Sequence, residues 1–234
     1  MHCFRHRNLM TFADPLLPAE KRQLTRLAGD LVRWAGTDGR HFPWRLPAAT
    51  TYEKIAVEVL LQRTTANAVG RFYAEFFARF PSWEALADAR PEELETFLKP
   101  LGLWRRRAVS LLGLARYAAK TNGLFPTDPR LHRDIPAVGQ YVSNAILSFQ
   151  HQQRTPLLDV NMARVIERFL RPRRLADIRY DPWLQAASHW FVRRGDVQSA
   201  NWAVLDFAAI ICKARTPLCT SCPVNTRCAY FASL

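Results

Sequence analysis

The sequence predicts an all-α protein, long enough for one large domain or two small ones. Three observations carry this. Apolar residues recur at three- and four-residue spacing in most segments; no stretch alternates as a half-buried strand does; and Pro and Gly fall between the periodic segments at intervals that suit medium-length helices. The 234 residues, 49% of them hydrophobic, suffice for a sizeable core. The net charge of +13 comes mostly from Arg, with only five Lys. That excess points to a polyanionic partner, and nucleic acid fits better than membrane, because no apolar run approaches the ~20 residues needed to span a bilayer. The first ten residues hold Arg5 and Arg7 but no apolar stretch of secretion-signal length, so they read as a loose basic tail in which Met10 offers a second start. Five cysteines without an export signal point to a reducing compartment, the cytoplasm or a nucleus, and to metal ligands over disulfides.

Pro18 to Ala35 reads as the first helix, with Leu24, Leu27, Leu31 and Trp34 on one face. Gly36 to Ala49 is a Gly/Pro loop whose His41-Phe42-Pro43-Trp44-Arg45 reads as an aromatic plug. Thr50 to Arg63 is a nearly all-apolar helix with Glu58 in its middle. Lys54, one turn earlier, offers a surface ion pair. A carboxylate ringed by Val and Leu is also how an acid's pKa is raised for catalysis. Asn67 to Phe80 is an aromatic-rich helix; Ser82 caps Trp83 to Ala87; Pro91 opens a helix through Leu98. Pro100-Leu101-Gly102-Leu103 breaks the chain, leaving Leu103 either exposed after the Gly turn or packed as a helix-entry staple. The helix Trp104 to Lys120 follows, and its Arg105, Arg106 and Arg107 read as a solvated or phosphate-facing run.

Ile135-Pro136-Ala137-Val138-Gly139-Gln140 then forms a tight turn, with Pro136 presetting φ and Gly139 tolerating positive φ. The helix from Tyr141 to Phe149 starts at that turn with free backbone N–H groups, a place where a phosphate can sit. Leu157-Leu158-Asp159 brings a carboxylate back to the helix mouth, unless Asp159 is simply a cap. Met162 to Leu170, Trp183 to Val192 and Val197 to Cys212 complete the helices, with the basic break Arg171-Pro172-Arg173-Arg174 between the first two. Cys212, Cys219, Cys222 and Cys228 follow a C-x6-C-x2-C-x5-C spacing. Zinc accepts four thiolates, usually as two close pairs, and only one close pair exists here; a cubane cluster takes four cysteines on one loop without that constraint. Cys3 falls outside the pattern.

Several of these motifs resemble one family. The turn and the Asp159 after it are similar to those of the helix–hairpin–helix (HhH-GPD) DNA glycosylases of the endonuclease III/MutY superfamily, which write the hairpin Leu-Pro-Gly-Val-Gly. Here Ile135 stands for the Leu and Ala137 for the first Gly. Phe42-Pro43-Trp44-Arg45 and the run Glu58-Val59-Leu60-Leu61-Gln62-Arg63-Thr64-Thr65-Ala66 resemble segments of the MutY adenine glycosylases and of the MIG-type thymine/uracil mismatch glycosylases. The Arg-Thr-Thr-Ala ending looks more like the latter. The cysteine spacing matches the 4Fe–4S loop of endonuclease III and MutY at every interval.

The resemblance implies a helical barrel with the hairpin over residues 49–155 and an iron–sulfur domain built from 1–48 and 156–234, with DNA in the cleft between them. It implies that Pro136, Val138, Gly139 and Gln140 grip the damaged strand, that Gln62, Arg63 and Leu103 contact or enter the duplex, and that Glu58 meets the extruded base while Asp159 stabilises the charge growing on the sugar. Tyr141 stands where endonuclease III-like enzymes carry a nucleophilic Lys and where MIG-type enzymes carry Tyr; a phenol forms no Schiff base. The expected protein is therefore a monomeric, monofunctional glycosylase acting on double-stranded DNA with thymine or uracil opposite guanine. The alternatives are an adenine glycosylase without its C-terminal reader domain, since the sequence ends six residues after Cys228, and a non-catalytic DNA-damage binder.

Overall fold

The computed structural model describes residues 15–234. Cys3, Arg5, Arg7 and the candidate starts Met1 and Met10 lie outside the described residues. Eleven α-helices and four short 3-10 turns make up the described part, which contains no strand. The helices are α1 (Pro18–Asp38), α2 (Thr51–Leu60), α3 (Ala66–Arg79), α4 (Trp83–Ala87), α5 (Pro91–Leu98), α6 (Trp104–Lys120), α7 (Gln140–Phe149), α8 (Val160–Phe169), α9 (Pro182–Phe191), α10 (Val197–Ile210) and α11 (Ala229–Ala232).

Local chemistry sets most of the boundaries. Thr50 caps α2 and Glu53 reaches back to the Thr50 N–H at 2.6 Å, so two otherwise unpaired donors are satisfied at once. Thr65 and Ser82 cap α3 and α4 in the same side-chain-to-backbone manner. α2 ends three residues earlier than the apolar pattern suggests. Arg63 turns left-handed at φ 56°, which no continuing α-helix allows, and α2 gives way to the turn 61–64. α11, with only four residues, left no periodic signal to read.

Two apolar cores result. One gathers residues between Phe42 and Leu157 from α2 to α7, including Phe42 and Trp44, whose rings stack at 4.5 Å. The other joins Leu24, Leu27 and Leu31 of α1 to Met162, Val165, Ile166, Phe191, Val204 and Phe207 of α8, α9 and α10. Each fully buried Leu contributes about 1.5–3 kcal/mol. α1 lies against α9 and α10, although about 150 residues of chain separate it from them. Its Glu20 is buried there and accepts from Arg171 Nε (2.8 Å) and Trp183 Nε1 (3.1 Å).

The hairpin corrects one reading of the turn. Gly139 has an ordinary extended φ of −84°, and Ala137 is the residue held left-handed at φ 65°. The turn is seated on α6 through a different glycine: a Cβ on Gly113 would lie 2.7 Å from Pro136 Cβ. Buried His132 ties the preceding 3-10 turn to α7, its Nε2 donating to the carbonyl of Pro126 (2.8 Å) while Nδ1 pairs with Ser143 Oγ (2.7 Å). The basic run also needs correction. Arg105 and Arg106 are exposed, but Arg107 is only 4% exposed and points into the protein.

Candidate active site

Glu58 sits on the last full turn of α2 and is 3% exposed. It does not find its partner in Lys54. The hydroxyl of Tyr141, second residue of α7, donates to Glu58 Oε2 at 2.9 Å, across 83 residues of sequence. Burial dominates the carboxyl's titration and pushes it up to about 7, against the pull of the Tyr141 hydrogen bond and the Arg45 charge. Burial, with the nearby carboxylates, also drives the Tyr141 phenol well above its ordinary range, so it remains a donor.

Asp159 is a cap and also part of this site. It precedes α8, and its Oδ1 accepts the N–H groups of Asn161 and Met162, both at 2.9 Å. Its Oδ2 accepts Asn161 Nδ2 at 2.6 Å, and Asn161 is held in turn by Arg164 at 3.1 Å. Burial raises the Asp159 carboxyl, opposed by these hydrogen bonds. Its field also raises Glu58 and Tyr141. The extended segment leading to Asp159 is pinned from two helices: Asn144 of α7 donates to the carbonyl of Pro156 (2.8 Å), and Asn201 of α10 accepts the N–H of Leu157 (2.8 Å). α2, α7 and the 155–159 segment therefore place two carboxyls and a phenol in one electrostatic neighbourhood.

Arg45 belongs to the same neighbourhood, although no motif assigned it a role of its own. Its guanidinium makes a two-pronged contact with buried Asp206 of α10 at 2.7 and 3.0 Å, beside a second contact from Arg40. It lies over the rings of Phe42 and Trp202 and lowers both Glu58 and Tyr141. No local pattern links positions 45 and 206; only their shared burial reveals the pair. Asn161 carried a weak signal, two residues beyond Asp159, where a short amide can reach back to a capping carboxylate.

The remaining candidates cluster in three places. Pro136, Gly139 and Gln140 are exposed around the start of α7, with Val138 half-buried. That helix has no side-chain cap, so its first N–H groups face outward unmet by a side chain. Gln62 and Arg63 are exposed on the turn after α2, and Leu103 is 50% exposed on the turn before α6. The four cysteines form no disulfide, are half-buried, and all line one cavity between α8, α10 and the C-terminal loop. Arg168 borders it, donating to Cys212 Sγ at 3.6 Å and to the carbonyl of Lys213 at 2.7 Å.

Residues 56–178 match the model of the HhH-GPD superfamily base excision DNA repair proteins. The chain belongs to that superfamily. It is 34% identical over 221 residues to the thymine-DNA glycosylase of Aeropyrum pernix, covering 92% of this chain and 99% of the relative. It is 33% identical over 215 residues to the thymine/uracil-DNA glycosylase of Pyrobaculum aerophilum, covering 88% and 92%. The solved structure of a thermostable thymine-DNA glycosylase superposes with a TM-score of 0.80 at 27% identity, covering 92% of this chain and all of that one. Among the described residues of this glycosylase, no helix is long and apolar enough to cross a membrane.

Proposed function

We propose that this DNA glycosylase removes thymine or uracil opposite guanine in double-stranded DNA, as a monomer, by hydrolysis that leaves the strand intact. The observation that carries the reading is the Tyr141 hydroxyl bonded to Glu58 beside Asp159. A carboxyl near 7 is partly protonated at neutral pH, so Glu58 can hand a proton or a hydrogen bond to the departing base. Asp159, fixed by α8 and Asn161, stabilises the positive charge that develops on the deoxyribose and orients water towards it. Tyr141 orients Glu58 and supplies no amine, so no Schiff base forms at that position. The names of the two relatives support the choice of base.

The same reading assigns the DNA contacts. Pro136, Val138, Gly139 and Gln140 bring the uncapped start of α7 to a phosphate. Gln62 and Leu103 enter the stack as the nucleotide leaves, and Arg63 meets the backbone. We assign residues 49–155 to the barrel domain and 1–48 with 156–234 to the second domain. Phe42 and Trp44 pack into the barrel core and stitch the two together.

The cysteine cavity fits a 4Fe–4S cluster better than a single ion. Tetrahedral zinc would draw its four sulfurs to within about 3.8 Å of one another. Here the thiols line one cavity, and their spacing, with only one close pair, supports a cluster over zinc. Cys212, Cys219, Cys222 and Cys228 would hold the cluster, which when bound cross-links the C-terminal loop. Protein purified without oxygen should be yellow-brown, with absorption near ~400 nm and about four irons per chain. Stoichiometric zinc without iron would remove the assignment.

The function is tested with single-turnover assays on duplexes carrying T·G, U·G, A·G and A opposite 8-oxoguanine, using alkali to reveal abasic sites. Release from T·G and U·G is expected. Release confined to adenine would replace the substrate, and no release from any duplex would make the protein a damage binder.

A further inference from the structure

Arg107 is the one residue of the basic run that the DNA-binding reading does not absorb. It is buried, it has no carboxylate partner among the described residues, and its whole fork is spent on main-chain carbonyls and one hydroxyl. Nη1 donates to the carbonyls of Leu60 (2.6 Å) and Val59 (3.2 Å) at the end of α2. They belong to the partly negative C-terminal end of α2, where the Val59 carbonyl also accepts the N–H of Gln62 at 3.3 Å, and that end is why a lone guanidinium is tolerated there. Nη2 donates to Thr64 Oγ1 at 2.7 Å and, more weakly, to the carbonyls of Gln62, Leu101 and Gly102 at 3.3–3.4 Å. Thr64 Oγ1 passes the link on, donating to the carbonyl of Leu101 at 3.2 Å.

The position of Arg107 gives this network a purpose. Its own N–H bonds the carbonyl of Leu103 at 3.0 Å, closing the first turn of α6. The helix that presents Leu103 is therefore docked, through the Arg107 side chain, onto the turn that presents Gln62. Both turns carry a side-chain-bearing residue in the left-handed region, Arg63 at φ 56° and Leu103 at φ 50°. Each such residue is strained and persists only where its surroundings hold it. The two shortest Arg107 bonds, to Leu60 and Thr64, flank the Gln62–Arg63 step.

We propose that Arg107 is a positioning residue that locks the Gln62 and Leu103 turns into one rigid two-pronged wedge, so that both side chains enter the duplex together. The proposal rests on the reading of Gln62 and Leu103 as the wedge. A planar fork spanning several fixed carbonyls is something an ammonium cannot reproduce. Arg107→Lys keeps the charge and loses the span.

The test compares single-turnover base release from a T·G duplex with release of the same thymine from a short unpaired bubble, where no stack has to be opened. Arg107→Lys should slow the duplex reaction on the order of tenfold or more, as expected for losing bonds to buried carbonyls, and spare the bubble reaction. Leu103→Ala should show the same selectivity. The double variant should be little slower than the worse single variant, because a clamp has nothing left to place once the wedge is gone. Thr64→Val, which removes the shared hydroxyl with little change in volume, should show a milder form of the same pattern; it serves as the test if Arg107→Lys does not fold. Equal slowing on both substrates, no slowing on either, or multiplying effects in the double variant would reduce Arg107 to a structural residue and overturn the proposal. If Leu103→Ala and Gln62→Ala are themselves indifferent to pairing, the wedge reading fails and the proposal falls with it.

Discussion

Glu58→Gln should make the protein more stable while disabling it. The substitution keeps the side chain's volume and leaves a carbonyl to accept the Tyr141 hydroxyl, but removes the titration. In the folded chain burial raises the carboxyl from 4.5 to about 7. Below the lower value folded and unfolded chains both hold the proton, and the full contribution of the group is present. Between the two values only the folded chain holds it, so the unfolded state binds fewer protons and stability falls as pH rises, levelling off above about 7. The rise from 4.5 to about 7 corresponds to about 3 kcal/mol. In a chain of this size that is a shift in Tm of roughly 6–12 °C. The assay is thermal unfolding of both proteins from about pH 4 to about pH 8, read as the difference between them. Asp206, Glu20 and Asp181, all lowered, titrate in both proteins and cancel, whereas Asp159, whose field raises Glu58, titrates more freely in the variant and adds to the difference in the same window. The variant should gain on the wild type steadily across that window. Parallel curves would mean that Glu58 is not held protonated, and its role as an acid towards the base would fall with them.

Three further outcomes are expected. Asp159→Asn should abolish base release yet keep duplex binding, because Asn still caps α8 while the charge acts on the transition state, with a modest fall in Tm since its amide would face the Asn161 Nδ2 donor that Oδ2 accepts; normal turnover in a gel assay would show the carboxylate to be only a cap. Ala137→Gly should raise unfolding stability by a few tenths to about 1 kcal/mol, since it relieves the left-handed Ala at φ 65° but frees the unfolded chain; urea midpoints that fall would contradict the strain argument. Tyr141→Lys should acquire strand nicking that borohydride traps as a covalent complex, and trapping should grow with pH because Glu58, 2.9 Å from the phenol oxygen it replaces, favours the charged amine. Trapping by the wild type would end the monofunctional assignment.

The sequence made some of this legible for definite reasons. The helices α4, α5 and α6 could be placed to the residue because Ser82, Pro91 and the Gly102-Leu103 break mark their starts. Glu58 and the four cysteines stood out because charge inside an apolar helix and thiols at fixed spacing have few explanations. What stayed hidden depended on tertiary burial. Arg107 looks like its neighbours Arg105 and Arg106, and only the docking of α6 against the end of α2 decides which of the three turns inward. The Arg45–Asp206 pair spans 161 positions, beyond any local periodicity. At the hairpin, the glycine that chemistry suggested for the left-handed position, Gly139, is not the residue that occupies it, because register within a turn follows from how Pro136 seats on Gly113.

The core that joins α1 to α8, α9 and α10 also fixes an order of events during synthesis. Leu24, Leu27 and Leu31 leave the ribosome early, while their partners from Met162 to Phe207 are made last. Residues 42–157 emerge between them as an uninterrupted stretch with a core of their own, and nothing prevents them from collapsing first. Throughout that interval α1 carries an uncovered greasy stripe, and Glu20 waits about 150 residues for Arg171. The nascent chain is thus most prone to aggregate in the middle of its translation. A stalled or prematurely ended message would release the collapsed 42–157 stretch behind an uncovered α1, a species that chaperones and proteases can recognise by that one helix.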